Sequence, residues 1–277
     1  MVSPVAAILR FAAFLAITLV MLGPYMALVA IGWKSHSRYS SAYWRVVTRA
    51  IGIRVRTFGT PVAGGPALIV ANHASYLDIL VLGRLLPACF VAKREVAGWP
   101  GFGFLSRVAQ TVFVERKRGG SARQRDLLRG RLDGGEMLIL FPEGTSNDGN
   151  RVLPFKSALF AVAEEPVRTA TGDARALPVQ PVSVAYTRLD GLPLQRAFRP
   201  FYAWYGDMTL AGHLFTVLGL GQVTVDVIFH PPVTIGNFPD RKALASHCHD
   251  VIHHGVTLAL AGRLPSDPAP GAVPARA

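Results

Sequence analysis

From Phe11 to Trp33 the chain carries no charged residue. A helix over that run is roughly 34 Å long at about 1.5 Å per residue, enough to cross the hydrocarbon core of a bilayer. The run therefore predicts an N-terminal membrane-anchoring helical segment, with Pro24 as the place for a kink or a shallow hairpin. A cleaved signal peptide fits poorly, because the apolar run is too long and no small-x-small cleavage site follows it. Arg10 alone precedes the run, whereas Lys34, Arg38, Arg45, Arg49, Arg54 and Arg56 follow it. That bias predicts an inner (cytoplasmic) membrane location with the body of the chain facing the cytoplasm. A segment dipping into only one leaflet would leave the body on the same side.

Charge narrows the partners. Lys and Arg outnumber Asp and Glu by 29 to 17, a formal +12, which favours nucleic acid, lipid headgroups or a phosphorylated substrate. A hydrophobic content of 51% is high for a basic nucleic-acid binder. The basic stretch Gly119 to Gly130 has no aromatic residues on which bases could stack. Membrane lipids, and no nucleic acid, are the expected partners. Cys89 and Cys248 fall in different elements, so neither a disulfide framework nor a thiolate metal site is expected.

Ser41 to Ile53 reads as an amphipathic basic helix whose Tyr43, Trp44 and Val47 would rest at the lipid interface. Strands are predicted at Ile53–Phe58, Ala67–Ala71, Cys89–Ala92, Thr111–Val114, Met137–Phe141, Leu177–Val184 and Val223–Phe229, the sixth broken by Pro178 and Pro181. A buried helix follows His73, and the Ile79–Leu86 run lies within it. Lys93 to Phe104 reads as a loop before a short helix, and Gly119 to Gly130 as a mobile loop leading into another. Strands alternating with helices predict an α/β fold, a single mixed sheet flanked by helices. The boundaries are 1–50 for the membrane anchor and interfacial helix, 51–262 for the main domain, and 263–277 for a Pro-, Ala- and Gly-rich disordered tail.

Function concentrates in Asn72-His73-Ala74-Ser75-Tyr76-Leu77-Asp78, between two apolar runs. A histidine where a strand gives way to a helix is rigidly held yet can face a cleft. Its unperturbed pKa of about 6.5 suits proton abstraction near neutrality. Asp78, a short turn away, would fix the tautomer and steady the imidazolium. Ser75-x-x-Asp78 is equally a capping-box variant, in which Asp78 only satisfies helix amides. Other polar residues also sit at strand ends: Arg116, then Glu143, Gly144 and Thr145. Ligands gather at such ends in α/β sheets, so these residues are expected to meet at one site, the basic members holding an anion.

Taken in order, these blocks resemble the glycerophospholipid acyltransferase family, over roughly Ala67 to Val184. His73-x-x-x-x-Asp78 is similar to the family's catalytic block. Phe113-Val114-Glu115-Arg116 is similar to the second, whose arginine binds the acceptor's phosphate. Phe141-Pro142-Glu143-Gly144-Thr145 is similar to the third, which contributes to acceptor binding, and Val179-Gln180-Pro181-Val182 to the fourth, which lines the pocket. The resemblance implies a glycerophosphate acyltransferase-like fold. It also implies that His73 deprotonates a lysolipid hydroxyl attacking the thioester of an acyl-CoA or acyl carrier protein, with Asp78 orienting the ring. Backbone amides near Gly144 would stabilise the oxyanion. No cofactor or metal is implied, because the thioester is already activated. One departure stands out: the third block usually continues with arginine, and here Ser146 follows, leaving Arg151 or Lys156 as substitute cations. The implied acceptor is first 1-acylglycerol-3-phosphate, giving phosphatidic acid in phospholipid biosynthesis. The alternative is lyso-ornithine lipid, a lipid without phosphate, since Ser146-Asn147-Asp148-Gly149-Asn150-Arg151 is similar to that branch.

Rival readings find less support. No Gly-x-Ser-x-Gly elbow marks a serine hydrolase. His249 and His253 have the i, i+4 spacing of a zinc hydrolase, but Asp250 stands where glutamate is usual and the stretch reads as a histidine-rich surface helix. His36, His213 and His230 read as structural or surface residues, and Tyr202, Trp204 and Tyr205 as core. A lipid-binding protein without catalysis would share the anchor and Arg116 but has no use for the His73–Asp78 pair.

Overall fold

The computed structural model describes residues 2–32, 36–93, 97–98, 103, 106, 111–114, 121–168 and 173–264. Helix α1 (Pro4–Ala30) opens with Ser3 capping the Ala6 amide and Pro4 in the first turn, and continues through Pro24 as one helix. It is long and apolar enough to cross a membrane, and only 6% of its most apolar window is buried. Yet α1 does not stand clear of the body. The Ser3 amide donates to Gly219 O at 2.8 Å, and the Arg10 guanidinium reaches the carbonyls of Leu218 and Leu220. Farther along, Thr18 and Met21 bond Tyr43 and Tyr39 of α2 (His36–Ala50). The outer side shows Val5, Ile8, Leu9, Leu19 and Val20, all more than 60% exposed, an apolar surface suited to lipid.

Strands β1 (Ile53–Phe58) and β2 (Ala67–Ala71) lead to α3 (Leu77–Leu85), β3 (Ala88–Lys93) and β4 (Val112–Val114). Next come α4 (Ser121–Asp133), β5 (Met137–Leu140), a 3₁₀ turn at Ser157–Ala163, and the small hairpin β6 (Val167–Arg168) and β7 (Ala174–Arg175). The chain closes with β8 (Val179–Leu189), β9 (Leu192–Pro193), α5 (Leu210–Gly219), β10 (Val223–Phe229) and α6 (Arg241–Leu260). The sheet order is β1-β10-β8-β2-β5-β3-β4, with β9 folded back on β8. Every join along this path is parallel except β10 with β8, so the sheet is mixed. Strand β2 is buried at all five positions, as parallel strands covered on both faces are. One face carries α1, α2, α3 and α5 over a core that includes Ile69, Leu77, Val81 and Val184; the other carries α4 and α6 over Leu68, Val70, Leu138 and Leu244.

Several expectations change. Val47 is fully buried, Trp44 lies against Gly83 of α3, and Tyr43 bonds Thr18, so these three face protein rather than lipid. Within Gly119–Gly130 the described residues, from Ser121 onward, are helix, not loop. Strand β8 runs unbroken through Pro181: its carbonyl accepts from the His230 amide just past the end of β10, and the His230 carbonyl, which the proline cannot serve, accepts from Gln180 Nε2. The tail beyond Leu264 and the loop around Trp99 lie outside the described residues. Tyr202 is buried and Trp204 and Tyr205 pack on the core, in keeping with the core reading.

Because the exposed face of α1 is apolar, attachment through it is not screened by ions. The chain is expected to stay with membranes through a wash at about 1 M salt and to leave only with detergent. Release by salt alone, read by immunoblot of the two fractions, would show that the basic surface holds it instead.

Candidate active site

At the end of β2 a side chain takes over the work of the main chain. The β2–β8 register runs from Leu68 opposite Val179 to Ala71 opposite Val182. At Asn72 the side-chain amide supplies the next rung: Nδ2 donates to Val184 O at 2.9 Å and Oδ1 accepts from Val184 N at 2.8 Å. The backbone is thereby free to turn out of the sheet while remaining fastened to it, and the next residue is His73.

The turn closes on Asp78. Its Oδ2 accepts from the amides of Ala74 (2.8 Å) and Ser75 (2.9 Å) and from His73 Nδ1 (2.9 Å), while Oδ1 accepts from the Tyr186 hydroxyl at 2.7 Å. Capping and dyad formation are therefore one arrangement. The Asp78 side chain is 1% exposed and that of His73 21%, so the imidazole alone opens outward. With Nδ1–H donated to the carboxylate, Nε2 carries the free lone pair that a general base needs. Phe141, at the end of β5, stacks on the imidazole with centroids 4.2 Å apart and planes 19° apart, fixing its tilt.

Glu143 braces the same turn from the β5 side. Its Oε1 accepts from the His73 amide at 2.7 Å, and Oε2 accepts from Asn147 Nδ2 (2.8 Å) and the Leu153 amide (2.9 Å). Both oxygens are engaged and the residue is 2% exposed, so Glu143 stands behind the histidine rather than in an acceptor pocket. Burial outweighs the three donors and pushes its carboxyl up to about 7. Gly144 has φ +69° and gives its amide to Phe141 O, so this amide is committed to the turn and is not an oxyanion donor. Thr145 is exposed beside it. A Cβ on Gly144 would lie 2.5 Å from Lys156 Nζ, which puts the lysine ammonium directly over this turn.

Ser146, where the resemblance places arginine, turns its hydroxyl onto the Trp204 carbonyl, and the Trp204 amide donates to Ala74 O at 2.9 Å. Arg199 adds a second strap to the same loop, donating to Asn150 Oδ1 at 2.8 Å. Arg151 is 69% exposed, with Asp148 3.9 Å away. The structure thus gathers His73, Asp78, Glu143, Gly144 and Lys156. Pro181 falls on the sheet face it shares with Val179 and Ser183, toward α6, whereas Val184 and Tyr186 serve the dyad from the opposite face. It is not brought to the dyad. Arg116 lies outside the described residues. His249 and His253 stack ring on ring, and no metal-binding group of three or more His, Cys, Asp or Glu occurs among the described residues. The sequence places Asn72 at the head of the key stretch but gives it no role, and it does not single out Tyr186, whose one signal is a hydroxyl inside an otherwise buried strand.

A native carboxyl that holds its proton more tightly than in the unfolded chain stabilises the fold at low pH, and loses that contribution as pH rises from about 4.5 through about 7. The unfolding free energy of the wild type relative to Glu143→Gln should therefore fall by about 2–3 kcal/mol between roughly pH 5 and pH 8. Denaturant unfolding in detergent measures it. A difference flat in pH would show that Glu143 does not titrate in this range.

Residues 52–185 match the family model described as Acyltransferase. The chain is 44% identical over 233 residues to a lyso-ornithine lipid O-acyltransferase of Brucella abortus, covering 84% of this chain and 86% of that protein. It is 31% identical to a 1-acyl-sn-glycerol-3-phosphate acyltransferase of Neisseria gonorrhoeae, covering 79% and 81%. The crystal structure of the 1-acyl-sn-glycerophosphate acyltransferase from Thermotoga maritima superposes with a TM-score of 0.63 at 19% identity, over 95% of this chain and 97% of that one, and so shares the fold. A sheet-end histidine locked to a buried aspartate thus occurs in a chain that belongs to the acyltransferase family.

Proposed function

We propose that this acyltransferase moves a fatty acyl group from an acyl-CoA or acyl carrier protein thioester to the free hydroxyl of lyso-ornithine lipid. The observation that carries the chemistry is the His73 Nδ1–Asp78 Oδ2 hydrogen bond, which leaves Nε2 as the base. His73 takes the proton of the acceptor hydroxyl as its oxygen attacks the thioester carbonyl. The tetrahedral intermediate then expels the thiolate, which recovers the proton from the imidazolium. Such base assistance is worth about 10²–10⁴ in rate. Asp78 steadies the imidazolium, and Glu143 holds the His73 backbone in place. The thioester is already activated, so this route asks for no metal or cofactor.

The choice of acceptor rests on Ser146, whose hydroxyl is turned inward to Trp204 and offers no charge to a phosphate. The relatives with that acceptor in their names support it, at 44% and 42% identity in Brucella abortus and Rhizobium meliloti. Lys156 over Gly144 is placed to take the carboxylate of an amino-acid headgroup. The same ammonium would serve a phosphate, which keeps 1-acylglycerol-3-phosphate as the second reading, with Arg116 and Arg151 as further cations. The exposed apolar side of α1 supports anchoring at the inner membrane. The basic residues that follow α1 support a body facing the cytoplasm.

His73→Ala should lower acyl transfer by about 10²–10⁴ while leaving the fold intact. Asp78→Asn should match that loss and also lower stability by about 1–3 kcal/mol, because the same carboxylate caps the turn. Thiol release and thermal unfolding read the two effects, and turnover in His73→Ala would remove it as the base. Side by side, lyso-ornithine lipid should be acylated well and 1-acylglycerol-3-phosphate poorly, with Lys156→Ala raising the acceptor KM. Efficient product from the phosphate acceptor alone would reverse the assignment.

A further inference from the structure

Tyr186 lies on β8 two residues beyond Val184, whose backbone holds Asn72, and its hydroxyl donates to Asp78 Oδ1 at 2.7 Å. The ring is 3% exposed and stacks on Tyr202, with centroids 6.1 Å apart and planes 10° apart. His73 Nδ1 and the amides of Ala74 and Ser75 all converge on the other oxygen, Oδ2. Among the described residues Tyr186 is therefore the hydrogen-bond donor to Oδ1, and it comes from the neighbouring strand rather than from the turn itself.

We infer that Tyr186 is a positioning residue for acyl transfer, its hydroxyl setting the rotation of the Asp78 carboxylate so that Oδ2 meets His73 Nδ1. The inference rests on His73 being the base. The terminal torsion of an aspartate is broad and roughly two-fold, so geometry at the carboxylate comes from its partners. A buried oxygen left without a donor would drive the group to rotate toward the turn amides, or to rearrange, at the expense of the His73 bond. The hydroxyl also draws off part of the carboxylate's charge. The titratable groups facing the hydroxyl are Asp78 from α3, Tyr76 from the turn and Tyr202, which stacks on the ring; His73 lies across the carboxylate, with Glu143 bonded to its amide. Burial, with the Asp78 charge, raises the Tyr186 hydroxyl well above its usual range, so it remains a donor wherever the enzyme is assayed.

The test compares wild type and Tyr186→Phe in detergent-solubilised membranes, following thiol release from an acyl-CoA with lyso-ornithine lipid or 1-acylglycerol-3-phosphate over roughly pH 5.5 to 9. The expected result is a kcat lower by about 10- to 100-fold with little change in acceptor KM. The acid limb of kcat/KM should move to lower pH, because a carboxylate turned away from Nδ1 stabilises the imidazolium less. In an Asp78→Asn background the same change should cost nothing further, since it acts through Asp78. Should Tyr186→Phe fold poorly, 3-fluorotyrosine at 186 keeps ring and donor while strengthening the acid, and should move the acid limb to lower pH. An unchanged pH profile in either variant, a loss matching only the unfolded fraction, or an additive cost in the Asp78→Asn background would overturn the inference. A wild type without thiol release on any lysolipid would fail the acyl-transfer reading, and this inference with it.

Discussion

Taking the Asp78 carboxylate out of water costs several kcal/mol unless donors replace its hydration, and four donors do so here. Two are amides of the turn, one is the imidazole and one is a hydroxyl from β8. The carboxylate is therefore satisfied only if β2 ends where it does, the turn has this shape and β8 lies in this register. Each of those conditions is met by something else in the fold. Asn72 fixes the end of β2 against Val184, Glu143 pulls the His73 amide toward β5, and Phe141 covers the ring. Of the bonded pair only the imidazole is open to solvent, at 21% exposure against 1% for Asp78.

That dependence explains which parts of the fold were legible in the sequence. Val223–Phe229 and Ala67–Ala71 were read at their observed boundaries because contiguous apolar residues between turn signals announce a buried strand. Strand β8 was read as broken at its prolines because the sequence does not show that Pro181 falls where β10 has already ended. The inward face of α2 was missed for a related reason. An aromatic and basic helix suits a lipid interface and a protein interface equally well, and only the position of α3 decides between them. Asp226 inside β10 gave no hint either; its charge is answered across the strand pair by Arg56, in two bonds of 2.6 Å.

The candidate site divides along the same line. His73, Asp78 and the Phe141–Thr145 block were legible because each is a short segment whose spacing is itself the signal. Tyr186 and Asn72 were not, because their roles arise from strand register: Asn72 meets Val184, and Tyr186 meets Asp78, across more than a hundred residues. Glu143 was found but its place was not. The sequence puts it in an acceptor-binding block, whereas its burial and its three N–H donors make it part of the support for His73.

Separating support from contact also bears on how such a scaffold changes substrate. Asp78 and its braces are buried and mutually dependent, so a substitution among them disturbs how His73 is held. Loop residues 144–156 are tied to the dyad through the Gly144 turn, through Asn147 and the Leu153 amide on Glu143, and through the Trp204 strap. Ser146 carries no charge and acts as one more strap through the Trp204 carbonyl, and none of the hydrogen bonds to Asp78 passes through it. Under the proposed function, residues such as Ser146 and Lys156 are where acceptor preference can diverge while the His73–Asp78 pair is kept.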